Sequence, residues 1–339
     1  MRELARELLA GEEAWVVGGA VRDELLGRPL IDLDVVCHAP ERTARAYGRS
    51  SGGAVFPLST EHGGWRVALE DGRTVDFVPL QGGSIEADLG TRDFSINAIA
   101  VPLAGGDPVD PFEGRGDLER RVLRAISPAV FAADPLRLLR AVRLEDELGF
   151  RLDSETERLV REHAALVAHP AGERVLDELR RLSPAGYERL DELGLLEPLG
   201  GSRSPRLGAF DSPWFRLAVT FGEHLRRLPI SRELKRFTDT LLRAAPPADG
   251  SARAIHRFRR ATEPWALEAL AFLGAEEYAD AVREARAHEP GEPLLRGDEL
   301  GIAPGPEVGR LLELVAEERA AGTISTREEA LELVRRSLV

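Results

Sequence analysis

Two aspartates lie inside a segment that otherwise has the composition of a buried β-strand. The segment is 31–36, and its acidic positions are Asp32 and Asp34. Because side chains alternate across a strand, both carboxylates leave the same face, with Cα atoms about 6.5 Å apart. This spacing suits oxygen ligands of hard cations, and Mg²⁺ prefers carboxylates together with water and phosphate oxygens. The alternative is a strand with one wet face that carries incidental charge.

A third carboxylate and a pair of glycines are candidate partners of these aspartates. Asp76 lies between two apolar residues of another strand-like segment, where a charge is again unexpected. Gly18 and Gly19 follow an apolar strand segment, and a helix with Arg22 in its first turn comes after them. Glycines let backbone N–H groups approach phosphate oxygens, and both a helix N-terminus and an arginine favour anions. Paired glycines also mark ordinary turns, and the spacing of a Walker loop or dinucleotide fingerprint is absent.

The pattern of apolar residues predicts the elements that must position these side chains. Strands are predicted at 14–17, 31–36, 54–58, 65–70, 73–78 and 99–103, and early helices at 2–10, 20–26 and 40–48. Asp71-Gly72 joins two of the strands and predicts a hairpin with a type I′ turn. After about Asp117, helical periodicity continues to the C-terminus and is interrupted by prolines. The predicted fold class is α+β, with an all-helical C-terminal half.

Length and composition indicate a globular protein of two or more domains. The chain has 339 residues, of which 43% are apolar and 30% charged. No segment resembles a signal peptide or approaches a membrane span, so we expect a cytoplasmic protein with no membrane partner. The single cysteine, Cys37, excludes an internal disulfide and fits a reducing compartment.

The net charge of −13 does not exclude a nucleic-acid partner, because phosphate binding depends on local clusters. Two arginine groups are candidate basic patches, namely Arg137, Arg140 and Arg143, and the segment 256–260. The alternative is a compositional preference for arginine on solvated helix faces, since Lys235 is the only lysine.

Several segments, taken in order, resemble the class II tRNA nucleotidyltransferases, the family of CCA-adding enzymes and bacterial poly(A) polymerases. They are 18–23 with 32–34, then 92–100, 110–118, 134–143 and 173–179. Together they cover about residues 14 to 182. Weaker similarity returns at 301–309, whereas 200–290 match little.

The resemblance implies four consecutive parts. These are a catalytic head with a small mixed β-sheet and helices (1–125), a helical neck with a base-reading segment (126–183), a helical body (184–262) and a helical, RNA-binding tail (263–339).

The resemblance also implies roles for individual residues. Asp32 and Asp34 would bind the catalytic Mg²⁺ ions, and Asp76 would be the third catalytic carboxylate. The implied nucleotide-binding residues are Gly18, Gly19 and Arg22 at the triphosphate, Arg92, Asp93 and Asn97 at the sugar and phosphates, and Asp134, Arg137, Arg140 and Arg143 in the base-reading segment. Arg174 and Glu178 would orient the base-reading pair.

Asp134 and Arg137 have a chemistry that suits base selection. An aspartate accepts from an exocyclic amino group, and an arginine donates to the adjacent ring acceptor. Cytosine and adenine present that pair of groups, whereas uracil and guanine present the reverse polarity. Two alternatives remain open: Asp134-Pro135 is also typical of a helix start, and Arg174 and Glu178 have the spacing of a surface ion pair.

The sequence departs from the family pattern at two positions. Ala133 replaces a glutamate that often precedes the base-reading aspartate, and Thr91 replaces a second arginine before Arg92. Neither change removes a predicted metal ligand.

A short connection bears on the predicted product. Only the residues 81–84 join the strand of Asp76 to the segment 85–89, where CCA-adding relatives carry a longer charged loop. The resemblance ties loss of that loop to enzymes that add two cytidines to the tRNA 3′ end and stop, so CTP is the expected substrate. Complete CCA addition, and then A addition or poly(A) synthesis with ATP, are the alternatives. A non-catalytic RNA-binding protein is another, and no obligate protein partner is evident.

Overall fold

The protein consists of two compact units, Met1–Leu199 and Gly200–Val339. The structure, a computed structural model, describes residues 1–59, 63–289 and 291–338. Within these ranges no helix is both long and apolar enough to span a membrane. The finer division into head, neck, body and tail stays a prediction.

The first unit is built on a mixed six-stranded sheet. Its strands are β1 (Ala14–Val17), β2 (Asp32–Cys37), β3 (Ala54–Ser59), β4 (Gly64–Ala68), β5 (Thr74–Pro79) and β6 (Ala100–Pro102). Their order is β3-β4-β5-β2-β1-β6, and β2 and β5 are parallel while the other neighbours are antiparallel. A separate parallel pair joins β7 (Val122–Leu123) to β8 (Arg151–Leu152). All six predicted strands are confirmed, with ends shifted by one or two residues.

Helices complete the first unit. They are α1 (Arg2–Leu8), α2 (Gly19–Leu25), α3 (Pro40–Ser51), α4 (Ile85–Leu89), α5 (Gly114–Arg120), α6 (Val130–Ala133), α7 (Leu136–Leu148), α8 (Ser154–Glu162), α9 (Gly172–Arg180) and α10 (Pro184–Glu192). The Asp146 carboxylate of α7 accepts from the backbone N–H (2.7 Å) and hydroxyl (2.6 Å) of Ser183, which caps α10. These bonds fix α10 against α7.

The two faces of the sheet explain the aspartates in β2. Val35 faces the same side as Phe77, whose ring lies 5.6 Å from that of Tyr47 in α3. The opposite side carries Asp34 and, two residues on, Val36, which belongs to a hydrophobic cluster with Ile85 and other residues of α4. One face of β2 therefore changes along its length from polar to apolar, and only the apolar end is covered by this cluster.

The second unit is helical. Its α-helices are α11 (Pro213–Phe221), α12 (Arg232–Arg243), α13 (Ala252–Thr262), α14 (Ala266–Leu273), α15 (Ala279–Ala287), α16 (Pro306–Ala320) and α17 (Arg327–Ser337). One hydrophobic core centres on Phe258, Leu270 and Val282, and another on Leu311, Val315 and Val334.

The arginine-rich segment 256–260 lies on α13, and its charge is balanced within the second unit. Arg257 pairs with Glu317 at 2.6 Å and Arg260 with Glu313 at 3.0 Å, and both glutamates belong to α16. The candidate basic patch is therefore neutralised by a neighbouring helix.

The hairpin between β4 and β5 differs from the predicted type I′ turn. Gly72 adopts a φ of 84°, but Asp71 keeps a negative φ, whereas a type I′ turn requires positive values at both. The Leu69 and Arg73 backbones pair through a 2.9 Å hydrogen bond, which leaves a loop of the residues 70–72. This loop places Arg66 opposite Asp76. A two-residue turn would shift the register by one and place Arg66 on the other face.

The segment 110–118 has a structural role. The Asp110 carboxylate accepts from the backbone N–H groups of Gly114 (2.7 Å) and the next residue (3.0 Å), at the start of α5. The buried Asp117 carboxylate accepts from the Ser95 hydroxyl at 2.5 Å and pairs with Arg124 at 2.7 Å. The backbones of Gly114 and Ser95 approach so closely that a Cβ on the glycine would lie 2.2 Å from the Ser95 carbonyl oxygen. These contacts fix the segment 92–100.

We expect Gly114→Ala to lower the free energy of unfolding by about 2 kcal/mol or more, because rigid backbone lies where the methyl group would go. Gly116→Ala in the same helix is the matched control, since its new Cβ would meet only the end of the Arg120 side chain, at 3.3 Å. Alanine propensity would offset that contact by up to about 1 kcal/mol. Urea denaturation measures both variants, and equal stability of the two would contradict the assigned role of Gly114.

Candidate functional site

The turn between β1 and α2 brings a carboxylate and a guanidinium to one point. Val17, the last residue of β1, lies opposite Asp34, and Gly18 follows it with a φ of 70°. A Cβ added to Gly18 would lie 3.3 Å from both Asp34 Oδ2 and Arg92 Nη1. The positive φ and these close neighbours both favour glycine. The turn therefore places backbone N–H groups, a carboxylate and a cation side by side.

The three predicted carboxylates lie on one face of two adjacent strands. Asp34 and Asp76 are direct neighbours in the parallel register of β2 and β5. Asp32 lies beside Thr74, whose hydroxyl donates to its Oδ1 at 2.6 Å. The structure thus brings together the residues that the sequence placed on one face.

Asp76 has a partner that sequence reasoning missed. Arg66 of β4 donates from Nε and Nη2 to the two carboxylate oxygens of Asp76, each at 2.7 Å. The only sequence indication was the length of the hairpin loop, because this length decides whether the two side chains share a face.

Burial and, second to it, the negative charge of Asp76 raise the pKa of Asp34 from 3.8 to about 6. Arg92 and Arg140 act in the opposite direction but do not cancel these effects. The site therefore carries negative charge that the protein only partly compensates, and a bound cation would relieve it.

The donor set fits a divalent cation that also contacts a substrate. In the part of the chain that the structure describes, no three His, Cys, Asp or Glu side chains form a ready ligand cluster. Mg²⁺ is commonly held by one or two carboxylates and completes its shell with water and substrate phosphates. Asp32 and Asp34 supply two carboxylates on one strand face, and a cation held there would offset the burial and the neighbouring negative charge that raise the pKa of Asp34.

A chain of polar contacts joins α2, the segment 92–100 and α7. Arg22 Nη1 donates to Asn97 Oδ1 at 2.9 Å, and Asn97 Nδ2 donates to Asp93 Oδ1 at 2.9 Å. Asp93 Oδ2 lies 2.8 Å from Arg140 Nε. Burial alone would raise the pKa of Asp93, but Arg140, Asn97 and the Phe94 backbone N–H together hold it below its ordinary value. Asp93 is thus ionised, and it contacts Arg140 directly and Arg22 through Asn97.

A second residue that sequence reasoning missed, the acidic Asp88, supports Arg92. Asp88 is buried, and its Oδ2 accepts from Arg92 Nη2 at 2.8 Å. Its Oδ1 accepts from the backbone N–H of Gln81 at 3.1 Å. The four-residue spacing of Asp88 and Arg92 was the available sequence indication.

The predicted base-reading pair, Asp134 and Arg137, lies at the start of α7. Asp134 Oδ2 accepts from Arg174 Nη2 at 2.8 Å, while its Oδ1 accepts from the Leu136 backbone N–H at 3.2 Å. Asp134 therefore both supports the first turn of α7 and is oriented by Arg174. Arg137 donates to the carbonyl oxygens of Thr91 (2.6 Å) and Arg92 (3.2 Å), which ties α7 to these two residues.

Arg174 and Glu178 have separate partners instead of forming the alternative surface ion pair. Glu178 pairs with Arg143, which is buried and also contacts Glu147 at 2.8 Å. The assignment of Arg143 to nucleotide binding stays a prediction. Its contacts favour a supporting role that joins α7 to α9.

Comparison with protein families identifies two matching regions. The Poly A polymerase head domain matches residues 14–80 and 66–124, and the probable RNA and SrmB-binding site of polymerase A matches residues 149–200. These two regions match the class II tRNA nucleotidyltransferases and bacterial poly(A) polymerases. The predicted family is thus confirmed.

Curated relatives within this family differ in the product that their names state. The chain is 49% identical over 174 residues to a CC-adding tRNA nucleotidyltransferase of Geobacter sulfurreducens, covering 51% of this chain and 40% of that protein. It is 47% identical over 174 residues to an A-adding tRNA nucleotidyltransferase of Deinococcus radiodurans, covering 50% and 39%. A CCA-adding enzyme of Lactiplantibacillus plantarum is 39% identical over 189 residues, covering 51% and 46%. The chain spans less than half the length of these relatives.

Solved structures share the fold at lower sequence identity. The Thermotoga maritima CCA-adding enzyme complexed with tRNA has a TM-score of 0.77 at 24% identity, covering 99% of this chain and 95% of that one. A CCA-adding enzyme in complex with ATP has a TM-score of 0.81 at 23% identity, with the same coverage. These likenesses confirm the predicted fold class, a head with a mixed sheet followed by helices.

We expect Asp34→Asn to stabilise the metal-free protein in a pH-dependent way. The folded pKa of about 6 exceeds the ordinary value of 3.8, so the wild-type free energy of unfolding falls as the pH rises between these values and stays lower above them. Asparagine has no proton to lose, so the variant gains on the order of 1–3 kcal/mol above the folded pKa. Urea denaturation in EDTA at about pH 4 and about pH 8 measures the difference.

Asp71→Asn is the control, because Arg73 lowers the pKa of this exposed carboxyl and the expected change above its ordinary pKa is a loss. An Asp34→Asn variant no more stable than wild type at the higher pH would contradict the charge imbalance assigned to the site.

Proposed function

We propose that the protein is a template-independent nucleotidyltransferase that adds cytidines to the 3′ end of tRNA, consumes CTP and releases pyrophosphate. The convergence of Gly18, Asp34 and Arg92 carries this proposal, because it places groups suited to a metal ion and to phosphate at one point. The curated relatives support it, since their names state CC-adding, A-adding and CCA-adding activities.

Different residues of the head would bind the metal ion and the phosphate groups of a nucleoside triphosphate. Asp32 and Asp34 would hold Mg²⁺. When bound, Mg²⁺ would activate the RNA 3′-hydroxyl for in-line attack on the α-phosphate and stabilise the departing pyrophosphate. The Gly18–Gly19 turn and Arg22 would bind phosphate oxygens from one side, and Arg92 from the other.

Asp134 and Arg137 would select the base. Asp134 would accept from the exocyclic amino group of cytosine, and Arg137 would donate to the adjacent ring acceptor. The Asp134–Arg174 bond would hold the carboxylate in position, and the carbonyl oxygens of Thr91 and Arg92 would hold the guanidinium. Base selection would then need no RNA template.

The short connection between β5 and α4 supports CC addition over complete CCA addition. The connection comprises the residues 80–84, of which the four at 81–84 span about 13 Å when fully extended. Both ends are held, because the Gln81 N–H donates to Asp88 and the Ser84 hydroxyl accepts from the Ala87 N–H at 3.2 Å. Adenine is larger than cytosine and requires the site to readjust, and a connection held in this way cannot reach across the site to drive that change. Sequence identity does not separate the alternatives, since the CC-adding and A-adding relatives match almost equally.

A tRNA that lacks its three terminal nucleotides tests the proposal. With CTP, ATP and Mg²⁺ present, we expect the product to gain two cytidines and almost no adenosine, as measured by the length and composition of the extended 3′ end. Asp32→Asn is the inactive control, because its amide keeps an oxygen for the Thr74 hydroxyl but loses the charge that a metal needs. Efficient adenosine addition to tRNA ending in CC would overturn the loop argument, and no incorporation at all would overturn the activity.

We expect Arg137→Ala to lower the discrimination between CTP and UTP by about tenfold or more, because a bidentate base contact is worth roughly 1–3 kcal/mol. The affinity for the triphosphate should fall less, since other residues bind the phosphates. Single-nucleotide incorporation with each NTP measures this, with the exposed Arg151 replaced by alanine as the control. A variant that keeps wild-type base preference and is merely less stable would show that Arg137 only ties α7 to residues 91 and 92.

A further inference from the structure

Asp32, Asp34 and Asp76 form one face of β2 and β5, here called the acidic face. Among the hydrogen bonds of the described residues, the Arg66–Asp76 pair is the only contact of this face with β4. The Asp76 side chain is 11% exposed, whereas the side chain of Arg66, its neighbour on β4, is 35% exposed. Two parallel N–H···O bonds of 2.7 Å match the fixed fork of a guanidinium to a carboxylate. This geometry is more specific than that of a flexible surface ion pair.

The position of this pair matters because three strands place their side chains in one row. Arg66, Asp76 and Asp34 are successive neighbours across β4, β5 and β2. Without Arg66, the row would present two adjacent carboxylates to any cation that Asp34 binds. With Arg66, both oxygens of Asp76 are engaged and one negative charge of the face is cancelled.

We propose that Arg66 is a positioning residue that withholds Asp76 from the metal ligand set, so that Asp32 and Asp34 alone offer carboxylates to a divalent cation. The protein then binds the free cation weakly, and the cation becomes firmly held only when triphosphate oxygens complete its shell. The role given to triphosphate oxygens rests on the proposed function. The claim that Arg66 keeps Asp76 from binding the cation does not depend on it.

Binding of Mn²⁺ to the nucleotide-free protein, followed by the electron paramagnetic resonance signal of the free ion, tests the inference without any catalytic readout. We expect Arg66→Gln to bind Mn²⁺ at least about fivefold more tightly than wild type, because it frees a carboxylate and removes a positive charge. Arg66→Lys keeps the charge but loses the fork, so its affinity should lie between the two.

The double variant Arg66→Gln, Asp76→Asn is the decisive comparison, because it removes one charge of each sign and leaves the net charge of the face unchanged. We expect its Mn²⁺ affinity to return to within about twofold of wild type. A double variant that binds Mn²⁺ much more weakly than wild type would show that Asp76 is a ligand despite Arg66. An Arg66→Gln variant with wild-type affinity would show that the pair only stabilises the hairpin. Either result overturns the inference.

Arg73→Gln is the matched control, because Arg73 lies in the same hairpin and pairs with Asp71, an exposed residue outside the acidic face. Its Mn²⁺ affinity should equal that of wild type. Urea denaturation in EDTA establishes that each variant is folded, and Arg66→Lys carries the test if Arg66→Gln unfolds.

The outcome is separable from that of the tRNA experiment. Mn²⁺ binding needs neither nucleotide nor RNA, so it decides the role of Arg66 even if the protein transfers no cytidine. Conversely, cytidine transfer by the wild-type protein would not decide the role of Arg66. That role is decided by the Mn²⁺ affinities of the wild-type protein, Arg66→Gln and the double variant.

Discussion

The repulsion between Asp34 and Asp76 is the interaction around which the cations of the head are arranged. Parallel pairing of β2 and β5 makes the two residues direct neighbours on one face, and like charges in that position oppose folding. Arg66 cancels one of these charges from β4, and Arg92 and Arg140 lower the energy of the other from a distance. The compensation is incomplete, and a site of this kind gains most from a ligand that brings positive charge.

Buried carboxylates around the site hold its arginines and the nearby backbone in place. Asp93 fixes Arg140, Asp88 fixes Arg92, and Asp117 fixes the backbone around Ser95. Each is a buried carboxylate paired with a cation or a hydroxyl, which is how buried charge is tolerated in proteins. The family resemblance of the segments 92–100 and 110–118 therefore reflects support of the site as much as contact with a substrate.

The alternation of apolar and acidic residues was enough to predict the strands of the head and the shared face of Asp32 and Asp34. The partner of Asp76 was not predictable, because one residue of loop length decides the face of β4, and the Asp71-Gly72 dipeptide suggested the wrong turn. The alternative ion pair between Arg174 and Glu178 was wrong for a different reason. Their four-residue spacing allowed the pair, but in the structure Arg174 binds Asp134 and Glu178 binds Arg143, both of the segment 134–143.

The two carboxylate oxygens of Asp88 have different donors. One accepts from the Gln81 N–H in the connection after β5, and the other accepts from the guanidinium of Arg92. Lengthening that connection during evolution would disturb the Gln81 bond and, through the same carboxylate, the arginine that contacts the glycine turn. The length of this connection and the position of Arg92 are thus coupled through one carboxylate. A graft that lengthens the connection and leaves Asp88 and Arg92 unchanged would disturb both contacts at once.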